Sequence, residues 1–457
     1  MAVAASSAPT LAQPQMFQRA TVLENATLLT GEGRVLENAK VIIRGGQLAG
    51  LGTRAETPGN ARTTDLAGRF VTAGLIDPNG ALALTGGDAS PDATARAADA
   101  FNAYDRLAVQ DAWRNGVTAM FVPARGGLGV LGTGAVVRLA PRERGGFGEM
   151  LEGDAALCID LGSGANAIAR AEAFASIIAD MRAAELYREA KEIYEEELET
   201  YEEKIAERAK QSANGAGSGS GSASGGEGRG SRGRGGSQAD GGDGNGGNGG
   251  EGGSSEEITK PTQPDPNRAY DVLLRAIDGE LPVRVTAHRS SDILNALRLR
   301  TQFNLDLVIV GATDADLVAA QIAEAGVAVV LDPVIGPGSL RSPARVHRMR
   351  DVASALTRAG VRWSVGSGAS SGEASRSVLL AAQEVTDGSA DAFTIATRRA
   401  AEAIGQQARL GALRPGQAAD LVVWSGHPLE PGSFVERVYI NGRVVFTSPR
   451  SELEGGR

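Results

Sequence analysis

Gly74-Leu75-Ile76-Asp77-Pro78-Asn79-Gly80-Ala81 follows an extended apolar run, Arg69-Phe70-Val71-Thr72-Ala73, and reads as the end of a buried strand. On a strand of period two, Asp77, Asn79 and Ala81 stand on one face, with a single residue between each pair. What surrounds this stretch decides which fold it belongs to.

Upstream, the chain is punctuated like short strands and turns: Ala20–Leu23, Ala26–Leu29, Lys40–Arg44 and Gln47–Gly50, broken by Gly31-Glu32-Gly33 and Gly45-Gly46. The far end repeats the pattern. Asp420–Trp424 and Val435–Ile440 are apolar, and Asn441-Gly442 is a two-residue hairpin signal before Arg443–Phe446. Between the two ends, strands alternate with helical stretches. The strands are Phe70–Ile76, Val117–Val122, Ala155–Leu161, Val283–His288, Leu307–Val310, Val327–Leu331 and Arg362–Val365. The helices are Ala100–Asn115, Ser291–Gln302, Ala315–Ala325, Arg345–Ala359, Arg376–Thr386 and Phe393–Ile404. That order is the mark of an α/β barrel of βα units. Seven barrel strands are legible, and the eighth is expected near a long insertion.

Composition narrows the function classes. The 457 residues are 42% hydrophobic, enough for one large core and a smaller second one. A net charge of −9 argues against a nucleic-acid surface. No run of about 18 apolar residues exists, so no membrane-spanning helix is expected. The single cysteine, Cys158, lies in an apolar run and reads as a buried, inert thiol, which leaves no disulfide framework. There are only three histidines: His288, His347 and His427. His347 on a basic helix and His427 in a Gly-His-Pro turn read as exposed.

Several motifs resemble the amidohydrolase superfamily, and among its members the exported imidazolonepropionase-like enzymes. Gly74-Leu75-Ile76-Asp77-Pro78 is similar to the first barrel strand of that family. Leu281-Pro282-Val283-Arg284-Val285-Thr286-Ala287-His288-Arg289 with Asp292-Ile293-Leu294-Asn295-Ala296-Leu297 resembles a later strand and its helix. Leu307-Val308-Ile309-Val310-Gly311-Ala312-Thr313-Asp314 resembles the next strand, and Val361–Gly368 the eighth. Gly411-Ala412-Leu413-Arg414-Pro415-Gly416-Gln417-Ala418-Ala419-Asp420-Leu421-Val422-Val423-Trp424 matches the C-terminal signature. The resemblance implies a (β/α)8 TIM-like barrel with a small composite β-sandwich built from both chain ends. It also implies zinc or a similar divalent metal and hydrolysis of carbon–nitrogen bonds.

The ligand positions disagree with that chemistry. The family's His-X-His after the first strand is replaced by Asn79 and Ala81, and the first histidine of a second pair by Thr286, leaving His288 alone. Gly311 stands near a position where many relatives carry histidine, and Gly368 stands where the eighth strand normally ends in aspartate. A neutral amide, an alanine and a glycine are poor or absent donors for zinc. Asp77 and Asp332 remain beside strand ends: Asp77 reads as bracing its strand end by hydrogen bonds, and Asp332-Pro333 as a strand-end turn. The expectation is a vestigial pocket of Asp77, Asn79, Ala81, Thr286, His288, Gly311 and Gly368, with no catalytic residue and no bound metal or other cofactor.

Residues 1–16 are expected to form a disordered N-terminus or signal remnant, which favours an exported or periplasmic protein over a cytoplasmic one. Residues 17–69 and 409–448 form the two halves of the sandwich, residues 70–408 the barrel, and residues 449–457 a tail. An acidic helix over 166–211 and a Gly/Ser-rich disordered insertion over 212–260 interrupt the barrel. On that helix Tyr187, Tyr194 and Tyr201 recur every seven residues beside Leu198 and Ile205. The stripe fits half of a coiled coil with a partner, or a helix lying on its own barrel. The glycine-dense run Gly126–Gly134 reads as a loop before a strand at Ala135–Leu139, lining a pocket or a subunit contact. Arg229-Gly230-Ser231-Arg232-Gly233-Arg234 reads as part of the flexible insertion rather than as an RNA-binding element. The functional expectation is a non-catalytic homologue that binds a ligand or a partner, such as an active amidohydrolase paralogue or further copies of itself. The alternative is an atypical hydrolase of carbon–nitrogen bonds.

Overall fold

The structure is a computed structural model, and it describes residues 19–80, 82, 92–162, 166–215, 258–332, 344–368, 379, 382 and 391–450. Ala81, the run Ala369–Gly372 and most of the expected helix Arg376–Thr386 lie outside the described residues. The chain divides into two compact units, Met1–Ala184 with Asn267–Arg457, and Glu185–Pro266.

The first unit holds two eight-stranded sheets. One is assembled from both chain ends: β1 (Thr21–Leu29), β2 (Val35–Arg44), β3 (Gln47–Gly52), β4 (Arg62–Asp65), β5 (Phe70–Ala73), β14 (Leu421–Trp424), β15 (Val435–Ile440) and β16 (Arg443–Thr447). β1 divides its edge between two partners, pairing β4 through Thr21–Glu24 and β5 through Thr27–Leu29. The free side of β3 is bonded to the segment before β14, where Leu48 N donates to Gln417 O at 2.9 Å and Gly416 N to Leu48 O at 2.8 Å. This sheet of terminal strands, the composite part built from both chain ends, packs around a core of Leu23, Leu28, Val41, Leu48, Val71 and Leu421. The Asn441-Gly442 signal does turn β15 into β16, with Asn441 at φ 51° and Gly442 at φ 69°.

The second sheet is a nearly closed barrel of β6 (Leu75–Asp77), β7 (Val117–Val122), β8 (Gly129–Pro141), β9 (Phe147–Asp160), β10 (Val283–Ala287), β11 (Leu307–Gly311), β12 (Ala328–Leu331) and β13 (Trp363–Val365). The strands β7 and β13 are buried along their whole length, as expected where both faces are covered. The expected strand Phe70–Ile76 is in fact two. β5 bonds β1 and β14, β6 bonds β7, and the chain changes sheets at Gly74, whose N–H donates to Asp420 O.

The eighth barrel strand is not at the insertion. It is β8, antiparallel to both β7 and β9, and it begins within the run read as a loop. Glycine there serves close packing: a Cβ on Gly134 would lie 2.7 Å from Cε1 of the Phe121 ring and closer still to its Cζ. The sheet thus holds seven mutually parallel strands and one reversed strand, instead of eight parallel ones.

Helices cover the barrel as the apolar spacing predicts, with shifted ends. Arg106–Arg114 is capped by Asp105, which accepts from Ala108 N, and Trp113 Nε1 donates to Leu139 O of β8 at 3.1 Å. Ser290–Phe303 ends at Asn304 in the left-handed region. The acidic helix runs Ala167–Gly215, and Ile177, Met181 and Ala184 on its first part are buried. Arg170 pairs there with Asp292 at 3.2 Å. No helix among the described residues is long and apolar enough to cross a membrane.

Candidate functional site

The ends of β6 and β13 are joined by side chains and main chain at the mouth of the barrel. Asp77 is buried at 1% exposure. Its carboxylate accepts from Asn79 N at 3.1 Å, from Ser367 N at 2.9 Å and from the Ser367 hydroxyl. Gly368 N donates to Asn79 O at 2.8 Å. A Cβ on Gly366 would lie 2.6 Å from that of Asn79, so the two strand ends touch without space for a side chain. Asp77 is a brace across the barrel's seam, the role its motif suggested. Burial raises its carboxyl above the ordinary value, against the lowering effect of the hydrogen bonds from Ser367 and Asn79.

Asn79 links this brace to the next strand: its Nδ2 donates to Asp332 Oδ1, just beyond β12, at 2.8 Å. Gly368, at φ 62°, has its α-carbon beside the same carboxylate, where a Cβ would lie 3.4 Å from Asp332 Oδ1. Arg125 NH1 reaches Gly368 O at 3.5 Å. Asp332, read from the sequence as a turn residue, therefore receives the amide of Asn79.

The residue the sequence reading missed is Arg284. It is 4% exposed on β10, on the same face of the strand as Thr286. Its guanidinium lies over the Phe121 ring, 4.1 Å from the centroid. It donates to Pro78 O at 2.5 Å and to Ala403 O at 2.9 Å. Burial pushes its pKa down to about 10, while Cys158, Asp332 and Asp77 favour the charged form. The sequence held the signal: a cation in an otherwise apolar strand, Val283-Arg284-Val285. Burial also raises the Cys158 thiol, with Arg284 opposing, which fits the inert thiol expected there.

His288 stands apart from this group. Its Nδ1 lies 3.0 Å from Thr313 Oγ1, and a Cβ on Gly311 would meet the ring at 2.5 Å. A histidine on Gly311 would thus need the His288 ring to move. Thr286 is half-buried on β10. The structure brings Asp77, Asn79 and Gly368 together with Asp332, Ser367 and Arg284, and sets His288 with Gly311 and Thr313. His427 is not simply exposed: it is half-buried, with its ring edge-on to Phe70 and Phe393 at 5.1 and 5.9 Å. His347 lies in the helix Ala344–Arg358, with its side chain outside the described residues.

A divalent metal of the kind the resemblance implies does not fit these donors. Asp77 is engaged by three hydrogen bonds, and Asn79 turns its NH2 toward Asp332. A guanidinium lies where Pro78 ends the strand. Among the described residues, no group of three or more His, Cys, Asp or Glu side chains could hold a metal ion.

Comparison with known proteins places this geometry in context. Residues 285–445 match the sequence model of the amidohydrolase family. No curated protein matches the chain. Among solved structures, an amidohydrolase from Thermotoga maritima MSB8 is similar, with 22% identity and a TM-score of 0.70 over 94% of this chain and 100% of that one. A prolidase crystallised with N-methylphosphonate-L-proline is similar at 18% identity and a TM-score of 0.53, covering 94% and 100%. Ochratoxinase from A. niger is similar at 15% identity and a TM-score of 0.52, covering 94% and 96%. Residues 285–445 thus match the amidohydrolase family, and the fold of the chain is that of the amidohydrolase from Thermotoga maritima.

Proposed function

We propose that this protein keeps the amidohydrolase barrel without its metal chemistry and works as a non-catalytic homologue, through association with a partner. One observation carries the reading. At the end of the first barrel strand, where the resemblance expects a metal-binding histidine, the Asn79 amide donates to the Asp332 carboxylate. An amide that gives its hydrogen to a carboxylate occupies that oxygen and leaves it less open to a cation. The neutral or absent side chains at Thr286, Gly311 and Gly368 support the same conclusion.

Elemental analysis of protein purified without chelators tests it. Zinc, manganese, iron and nickel well below one per chain are expected. About one tightly bound metal per chain, lost on His288→Ala, would overturn the reading in favour of a working hydrolase.

A further inference from the structure

The helix Ala167–Gly215 carries an apolar stripe that the barrel reading does not use. Tyr194, Leu198, Tyr201 and Ile205 are spaced i, i+4, i+7 and i+11, which sets them on one helical face. Leu198 and Ile205 return to the seven-residue positions of the buried Ile177 and Ala184 after a break at Lys191. Within the second unit, Tyr194, Leu198 and Tyr201 are half-exposed and Ile205 is 42% exposed. Ile193, nearby on the helix, is 55% exposed.

Charge selects what can cover this face. Seven of the fifteen residues from 191 to 205 are glutamate and two, Lys191 and Lys204, are lysine, so the segment is strongly acidic. Glu195 and Glu202 rim one side of the stripe and Glu197 the other, all exposed. Two copies packed along this segment would set glutamate rims against each other, which opposes self-association. Nucleic acid and anionic lipid surfaces are repelled for the same reason. Tyrosines suit an interface here, since each offers an apolar ring and a polar tip.

We infer that the Tyr194–Leu198–Tyr201–Ile205 face is a docking site for a basic amphipathic helix of another protein. That helix would carry an apolar stripe at the same spacing and lysine or arginine on both flanks. The contact is a helix pair about 20 Å long at 1.5 Å per residue. This inference stands on the helix alone and does not depend on the state of the barrel mouth.

The test uses the full chain and three synthetic 21-residue peptides: a leucine stripe flanked by lysine, the same stripe flanked by glutamate, and the lysine peptide with its order scrambled. Fluorescence anisotropy is expected to show binding of the lysine-flanked peptide alone, weakening as salt rises. The Leu198→Glu/Tyr201→Glu double variant should bind it at least about tenfold more weakly. Thermal unfolding of the barrel should stay unchanged. If circular dichroism shows that the double variant loses helix, Leu198→Ala carries the same comparison. Equal binding of the scrambled peptide, indifference to the stripe variants, or no binding up to about 100 µM would overturn the inference. So would a concentration-dependent dimer abolished by Leu198→Glu.

Discussion

Asp77 shows how one residue type serves two ends within a fold. Its carboxyl is raised by burial, so the folded protein holds that proton more tightly than the unfolded chain does. The resulting stability is fully present below the ordinary carboxylate range, near ~4, and is lost as pH rises through the folded-state value. In urea titrations stepped upward from that range, Asp77→Asn should lose less stability with rising pH than the unaltered protein. Equal slopes would show that Asp77 contributes no such dependence. Arg284 is the second residue-scale test. Arg284→Met removes two donors and leaves Pro78 O and Ala403 O without them. It should cost about 2–4 kcal/mol in denaturant unfolding. Arg284→Lys should recover only part of this, because a point charge cannot serve two divergent carbonyls and an aromatic face.

At the scale of elements, β8 is the departure from a regular barrel. Its glycines mimic a loop in the sequence, because spacing alone cannot tell a flexible glycine from one pressed against a ring. Gly134→Val should destabilise by about 1–3 kcal/mol through the clash with Phe121, measured as a shift of the unfolding midpoint. The same substitution at Gly59, which has open space around its Cβ position, should change the midpoint little. The helix Ala167–Gly215 is the opposite case. Its seven-residue spacing was plain in the sequence, while the point where the stripe passes from buried to exposed is set by packing around Ile177, Met181 and Ala184.

At the scale of the whole molecule, the terminal sheet and the barrel are tied through Arg138. This side chain of β8 is 4% exposed and lies 3.1 Å from Asp420 Oδ2, 3.2 Å from Glu149 Oε2 and 2.6 Å from Asn441 Oδ1. Burial raises the Asp420 carboxyl while Arg138 opposes it. Arg138→Ala leaves a buried carboxylate unpaired and should cost about 3–5 kcal/mol. In calorimetry, a single transition in the unaltered protein should broaden or split in the variant; a sharp, unshifted transition would remove Arg138 as the tie. Under the proposed reading, a chelator should leave the unfolding midpoint within about 1 °C. A large fall would show that a metal supports the fold.

The sequence by itself determined the barrel fold and most of its strands, because those rest on local patterns: apolar runs, the Gly74–Pro78 stretch, the Asn441-Gly442 turn and the Gly411–Trp424 segment. It also placed Asn79, Thr286 and Gly368 at or just beyond strand ends, since position within a motif needs no third dimension. Only the tertiary structure decided what those residues touch. Asn79 meets Asp332, 253 positions away, and Ser367 meets Asp77 across the barrel's seam. Arg284 finds its acceptors on two distant segments. Such contacts come from sheet closure, which joins positions by geometry rather than by spacing, so no pattern along the chain announces them.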